Sequence, residues 1–176
     1  MGTDIHGYID YDSFKTREGD WWVTNFAKLH LVRDYELFYL LAGVRDYGYK
    51  DFVPGVPRGL PDRVSWVVRK DNGLYIVDGE TDEEYYVSRK QAEKWIDMGL
   101  SKWTDDNHRH ITHPDWHSHS WMSWVHLQDV SFKLKQIAQK NNYDYNQELD
   151  AIIAAMKVLC PPEDSTRARF VFWFDD

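Results

Sequence analysis

The sequence predicts an α+β fold: a mainly antiparallel sheet that includes the N- and C-terminal strands, with helices packed on it. Three observations carry this expectation. The opening residues alternate, with Ile5, Ile9 and Tyr11 on one side and Asp4, His6, Tyr8 and Asp10 on the other, the two-residue period of a half-buried strand. The closing stretch Arg167 to Asp175 puts Phe170, Phe172 and Phe174 on one face and Arg169, Val171, Trp173 and Asp175 on the other. A run so apolar belongs near the centre of a sheet, with Asp175 at its edge close to Asp4. Between these ends, capped segments with apolar residues at helical spacing alternate with turn-rich ones.

Taken in order, Trp21 to Thr24 follows a Glu18-Gly19-Asp20 loop and is expected to pair back on the first strand. Asp34 is placed to cap a helix running to about Ala42, apolar nearly all round and so buried, with Gly43 at its end. From Asp46 to Asp62, the glycines and prolines exclude a regular element. Val64 to Val77 reads as a hairpin turning at Asp71-Asn72-Gly73. Asp78 to Glu84 is an acidic solvated turn. Ser88 and Gln91 form a capping box for a helix to about Met98, its stripe Ala92, Trp95 and Ile96 and its stop Gly99. Trp103 to Ser120 reads as irregular. Ser123 is expected to cap a helix with core positions Leu127, Val130, Leu134, Ile137 and Ala138. Asn146 is expected to cap another, with Leu149, Ile152, Ile153 and Met156 inside, stopped by Pro161-Pro162.

Length and composition limit the function. The 176 residues fit a single domain, 1–176, with room for a real core. Aromatic content of 16% supplies flat side chains for packing or for a ligand pocket. A net charge of -8 argues against non-specific binding to nucleic acid and against an anionic membrane surface. It leaves room for a small anionic ligand where arginines or a metal reverse the local field. The single Cys160 excludes an internal disulfide and a cysteine-rich zinc knuckle; it ends an apolar helical pattern as a small buried hydrophobe. No leader or membrane-spanning run is read at Met1 onward, and position 6 is not the Ser/Thr of a myristoylation signal, so a cytoplasmic protein is expected. The sequence leaves homo-oligomerisation open.

The richest chemistry lies in Asp115-Trp116-His117-Ser118-His119-Ser120-Trp121, with His113 just before it. In an extended segment His117 and His119 would share a face, Trp121 next along. Asp4-Ile5-His6 has the same spacing. The expectation is that both segments meet in one pocket. Asp4, His6, His117 and His119 would hold a divalent zinc, manganese or iron ion, with Asp115 or Asp175 as further donors. Without metal, His6 or His117 would act as acid or base, oriented by Asp4 or Asp115. Arg58, in the stiffened loop Arg58-Gly59-Leu60-Pro61-Asp62-Arg63, would grip a phosphate or carboxylate together with Arg33 or Arg63. Trp116 and Trp121 would stack on a ring, and Asp62, Ser118 and Ser120 would complete the ligand contacts.

These same residues carry a resemblance. Met1-Gly2-Thr3-Asp4-Ile5-His6 resembles the opening of a group of small, uncharacterised phage and bacterial proteins that begin Met-Gly-Cys-Asp-Ile-His. Arg33, Tyr35, Leu37 and Phe38 match that group's Arg-x-Tyr-x-Leu-Phe segment. Arg58 to Asp62, Asp115 to Trp121 and Phe172 to Asp175 match its Arg-Gly-Leu-Pro-Asp, Asp-x-His-Ser-x-Ser-Trp and Phe-Trp-Phe-Asp segments. Thr3 stands where the group has cysteine. The resemblance implies a phage-type origin, with a bacterial host cytoplasm as its setting, and supplies no reaction.

Three functions are consistent with these residues. The first is hydrolysis of a phosphoester in a nucleotide-like small molecule, with or without metal assistance. The second is a non-catalytic sponge that sequesters a nucleotide immune signal, a role in anti-defence. The third is an interaction module that blocks another protein through its acidic surface.

Overall fold

The computed structural model describes residues 2–13, 22–24, 26–48, 51–61, 63–105, 108–160 and 162–175. Its larger sheet is antiparallel throughout and includes both the N- and the C-terminal strand. β1 (Asp4–Asp12) and β8 (Trp116–Ser123) flank β9 (Ala168–Asp175). The outer side of β1 is covered by β2 (Trp22–Val23), which pairs Tyr11 with Val23, and by β3 (Leu29–Leu31), which pairs His6 with His30. The central place of β9 follows from its composition: Phe170, Val171, Phe172, Trp173 and Phe174 are all fully buried, and only an inner strand covers both faces. The expected loop Glu18 to Asp20 and Trp21 lie outside the described residues.

One face of this sheet carries the main core. Ile5, Ile9, Phe170, Phe172 and Phe174 pack there against α1 (Tyr35–Ala42), α4 (Trp124–Asn141) and α5 (Glu148–Leu159). The expected caps and periods largely hold. The Asp34 carboxylate accepts from Leu37 N at 2.9 Å, and Gly43 ends α1 in the left-handed conformation with φ 66°. Leu127, Val130, Leu134, Ile137 and Ala138 are the buried stripe of α4, and Leu149, Ile152, Ile153 and Met156 that of α5. Two caps differ in detail. The Ser123 hydroxyl bonds the His126 ring at 2.9 Å instead of a backbone N–H, and Gln147 is the N-cap of α5, while Asn146 accepts from Glu148 N at 3.0 Å.

Two readings are corrected. Val64 to Val77 is not a hairpin. It forms α2 (Trp66–Asp71) and then β4 (Gly73–Val77). Ser65 caps α2 by accepting from Val68 N, and the Asn72 amide ties off its end on Val68 O at 2.8 Å. The Asp-Asn-Gly signal therefore marks a helix end, where the same residue types are favoured. Nor is Trp103 to Ser120 irregular: it contains β6 (Lys102–Asp105), β7 (His108–Thr112) and most of β8. β6 and β7 pair with each other locally, Asp105 opposite His108, while β7 and β8 also take partners distant in sequence, β4 and β9, which local turn and proline signals do not reveal.

β6 and β7 belong to a second sheet of order β5-β4-β7-β6, where β5 is Tyr86–Ser88 and runs parallel to β4. α3 (Arg89–Asp97) follows, capped by Ser88 as expected, and Ala92, Trp95 and Ile96 close a small core with Leu74, Val87 and Ile111. The loop before α2 and α2 itself lie over the other face of the large sheet, where Leu60, Val64, Val67 and Val68 meet Tyr8, Val171 and Trp173. Among the described residues no helix is long and apolar enough to cross a membrane.

Candidate functional site

The face of the large sheet opposite the main core collects the chemistry, and strand register explains why. Directly paired residues point the same way. One row therefore runs His30, His6, Trp173 across β3, β1 and β9, and the row beside it runs Asp4, Asp175, Trp116. His119 joins the first row from β8, its ring stacked on Trp173 at 6.3 Å while His6 lies against Trp173 at 6.2 Å. The chain start and the late histidine segment, expected to meet in one pocket, lie on β1 and β8, the two strands that flank β9.

The expectation that His117 and His119 share a face fails. Register shifts between His117 and Ser120, and Ser118 takes a positive φ of 52°, so the segment bulges. His117 is left opposite Phe174, stacked on its ring on the core-facing side, whereas His119 stacks on Trp173 on the other side. His6 and His117 therefore lie on opposite faces of one sheet. The four expected metal ligands Asp4, His6, His117 and His119 do not form one ligand set. Among the described residues, no group of three or more His, Cys, Asp or Glu side chains is arranged to hold a metal ion.

At the β1 edge, Asp4 is gripped by both arms of Arg33, at 2.5 and 2.7 Å. That hydrogen bonding holds the Asp4 carboxyl below the usual carboxylate range. His6 is oriented by Asp175 rather than by Asp4: its Nε2 lies 2.8 Å from Asp175 Oδ2, and its Nδ1 lies 3.0 Å from His30 Nδ1. Lys28 extends over both Trp116 and Trp173, 5.3 Å from each ring centre. Its ammonium also lies 3.3 Å from Asp71, which accepts from the Tyr8 hydroxyl at 2.5 Å. Asp115 is largely exposed and sits 3.8 Å from His113, so it does not orient His117, whose Nδ1 pairs with the Ser118 hydroxyl at 2.9 Å.

Several residues expected to contact a ligand have partners within the protein. The Arg58 guanidinium covers Trp121 at 5.2 Å, and the Arg58 backbone N–H donates to the buried Ser120 hydroxyl at 3.2 Å. Gly59 N donates to His119 O at 2.8 Å, so the loop docks on β8 through backbone. Trp116 stacks between His113 and Trp173. The Arg63 carbonyl accepts from Arg169, which also pairs with the fully buried Asp10 at 3.0 Å and lies over Trp22. Burial pushes the Asp10 carboxyl up. Asp62 lies outside the described residues.

Beyond Trp173 a cleft of about 500 Å³ opens between the Gly59-Leu60-Pro61 loop, α2 and the second sheet. It is lined by Arg69, Lys102, three hydroxyls (Ser101, Thr104 and Thr112) and His119, with no carboxylate among the described lining residues. His119 Nε2 is buried without a hydrogen-bond partner among the described residues. Burial first, and the neighbouring His117 second, lower its pKa from 6.5 to about 4. It is a neutral imidazole at pH 7, able to donate or accept one hydrogen bond at the cleft wall. Sequence reading missed Arg69, Thr104 and Thr112 because they belong to a helix and strands read as hairpin and loop, and Ser101 and Lys102, at the start of β6, because they fell between the elements read. His30 and Lys28 carried no spacing signal. No family model, no curated protein and no solved structure matches this chain.

Proposed function

We propose that the cleft binds a small anionic molecule of nucleotide size, with a phosphoryl or carboxylate group held by Arg69 and Lys102 and a polar edge met by His119. The cleft itself carries this reading. Its volume of about 500 Å³ falls within the usual range for ligand sites. Two cations with hydroxyls and no described carboxylate favour an anion even on a chain of net charge -8. A buried imidazole nitrogen lacking a protein partner suits a ligand partner, since an unmade buried hydrogen bond costs about 1–3 kcal/mol. Leu60, Pro61 and Val64 provide an apolar wall for a base or similar ring.

Binding without turnover, the sponge of the sequence reading, is favoured over hydrolysis. Among the described residues, no carboxylate or hydroxyl is hydrogen-bonded to His119 Nε2 as an orienting group or a nucleophile would be. A second reading keeps hydrolysis, because a neutral His119 is in the correct form for a general base. The test is calorimetric titration with pyrophosphate, mononucleotides and cyclic dinucleotides, followed by recovery of each compound after heat denaturation. At least one phosphorylated compound should bind, and Arg69→Ala with Lys102→Ala should weaken it by about 10- to 100-fold, the loss of charge-assisted hydrogen bonds. Intact recovery supports the sponge and cleavage supports the hydrolase. Unchanged affinity in the double variant would remove the cleft from the account.

A further inference from the structure

On the far side of Trp173 from the cleft, three side chains form an unbroken hydrogen-bonded chain: Asp175, His6, His30. Asp175 Oδ2 is 2.8 Å from His6 Nε2, and His6 Nδ1 is 3.0 Å from His30 Nδ1, the two rings meeting edge to face. The inner members are shielded, His6 retaining 13% and Asp175 33% side-chain exposure, while His30 is exposed. We infer that this chain is a second, catalytic centre, a proton relay in which His30 Nε2 is the general base and His6 and Asp175 are positioning residues that take the charge inward.

The tautomers follow from donor and acceptor rules. An ionised carboxylate only accepts, so His6 must present Nε2–H to Asp175. A neutral His6 then has only a lone pair at Nδ1. His30 must donate Nδ1–H to it, which leaves the lone pair of His30 on Nε2, facing outward. When Nε2 takes a proton, the His30 Nδ1 proton can pass to His6 Nδ1. The resulting imidazolium is His6, held 2.8 Å from a carboxylate, where a positive charge is best stabilised. This is the logic of an oriented histidine base, extended by one ring.

The groups facing His30 support the assignment. Asp175 and Asp4 favour its charged form; burial, His6 and Lys28 oppose it, and together they lower its pKa from the ordinary histidine value. That shift favours the unprotonated ring a base requires. The Lys28 ammonium lies over Trp116 and Trp173 at the same end of the sheet, its charge met by Asp71 at 3.3 Å. The chemistry this serves is hydrolysis of an ester. His30 Nε2 removes a proton from water as its oxygen bonds to the ester centre. The leaving oxygen departs with the ester bond's electron pair and takes a proton back from the relay, so the rings end as they began. The relay stands independently of what the cleft binds, since the fully buried Trp173 separates the two.

Two measurements on the full chain test the inference. Long-range proton–nitrogen correlation NMR at pH 7.5 reads the tautomer of each ring. His6 should be the Nε2–H form that a free histidine prefers, and His30 the opposite, Nδ1–H form. Reaction with diethyl pyrocarbonate, in which an imidazole lone pair attacks the carbonyl carbon and carbon dioxide and ethanol leave, is then followed by peptide mass. His30 should react at least about fivefold faster than the exposed His108 in the same molecule, and Asp175→Asn, checked for folding by its melting curve, should bring it down to the His108 rate. An ordinary Nε2–H tautomer at His30 overturns the relay on the native chain alone. So does a His30 rate equal to that of His108, or one unmoved in a folded Asp175→Asn protein.

Discussion

His119→Gln is the perturbation that most directly examines the cleft, because the effect is on stability and needs no ligand. In the folded protein His119 loses its proton at about pH 4 instead of 6.5. Between those values the unfolded chain carries a proton at this position that the folded chain lacks. Acidification therefore favours unfolding: the penalty is absent above about pH 6.5, grows as pH falls, and is complete below about pH 4. Each unit within that window costs about 1.4 kcal/mol, so the native protein loses about 2 kcal/mol at pH 5 through this one ring. For a chain of this size that is a fall in melting temperature of about 4–8 °C. Other groups are shifted as well, Asp10 and Asp34 upward and His30 and His113 downward, chiefly by burial. The measurement is accordingly a difference: urea unfolding of native and His119→Gln proteins at pH 5.0 and 7.5. The variant should lose about 2 kcal/mol less than the native protein on acidification. Equal losses in both would mean that the ring is well solvated or already partnered, and the case for a ligand contact at Nε2 would fail with it.

Two further outcomes follow from packing. A Cβ on Gly55 would lie 2.2 Å from the backbone carbon of Leu41, so Gly55→Ala must push the loop off α1 or break the Gly55 N to Tyr39 O bond; chemical denaturation should show a loss of about 1–3 kcal/mol or more, and a loss below 0.5 kcal/mol would contradict the close approach. Arg169→Met leaves the fully buried Asp10 without its cation and should cost about 3–5 kcal/mol, while adding Asp10→Leu should recover much of that loss; a double variant no more stable than the single one would show that the carboxylate is not the source of the penalty.

The fold was legible where local chemistry and burial agree. Asp34, Ser88 and Gly43 act as caps because cap geometry depends on a few neighbouring residues. The Phe170, Phe172, Phe174 alternation identified a central strand because few other places bury both faces of a chain. The antiparallel sheet joining the two ends followed from these patterns. Legibility failed at α2, where Asp-Asn-Gly serves a helix end as well as a turn, and at β6 and β7, which pair locally with each other but are held in their sheet by β4, far off in sequence.

What residue order alone determined is the inventory: an acidic chain, two apolar-polar strands at its ends, and histidines and carboxylates at alternate positions of extended segments. Tertiary structure alone decided which of them meet. A single bulge at Ser118 turns His117 toward Phe174 and His119 toward Trp173, because one extra residue reverses the alternation of a strand. Pairing of β3 with β1 brings His30 to His6, and α2 and the second sheet bring Arg69 and Lys102 to the cleft beside His119. Strand register and bulge position depend on hydrogen bonds between distant segments, so the site's membership is a property of the folded sheet and not of spacing along the chain.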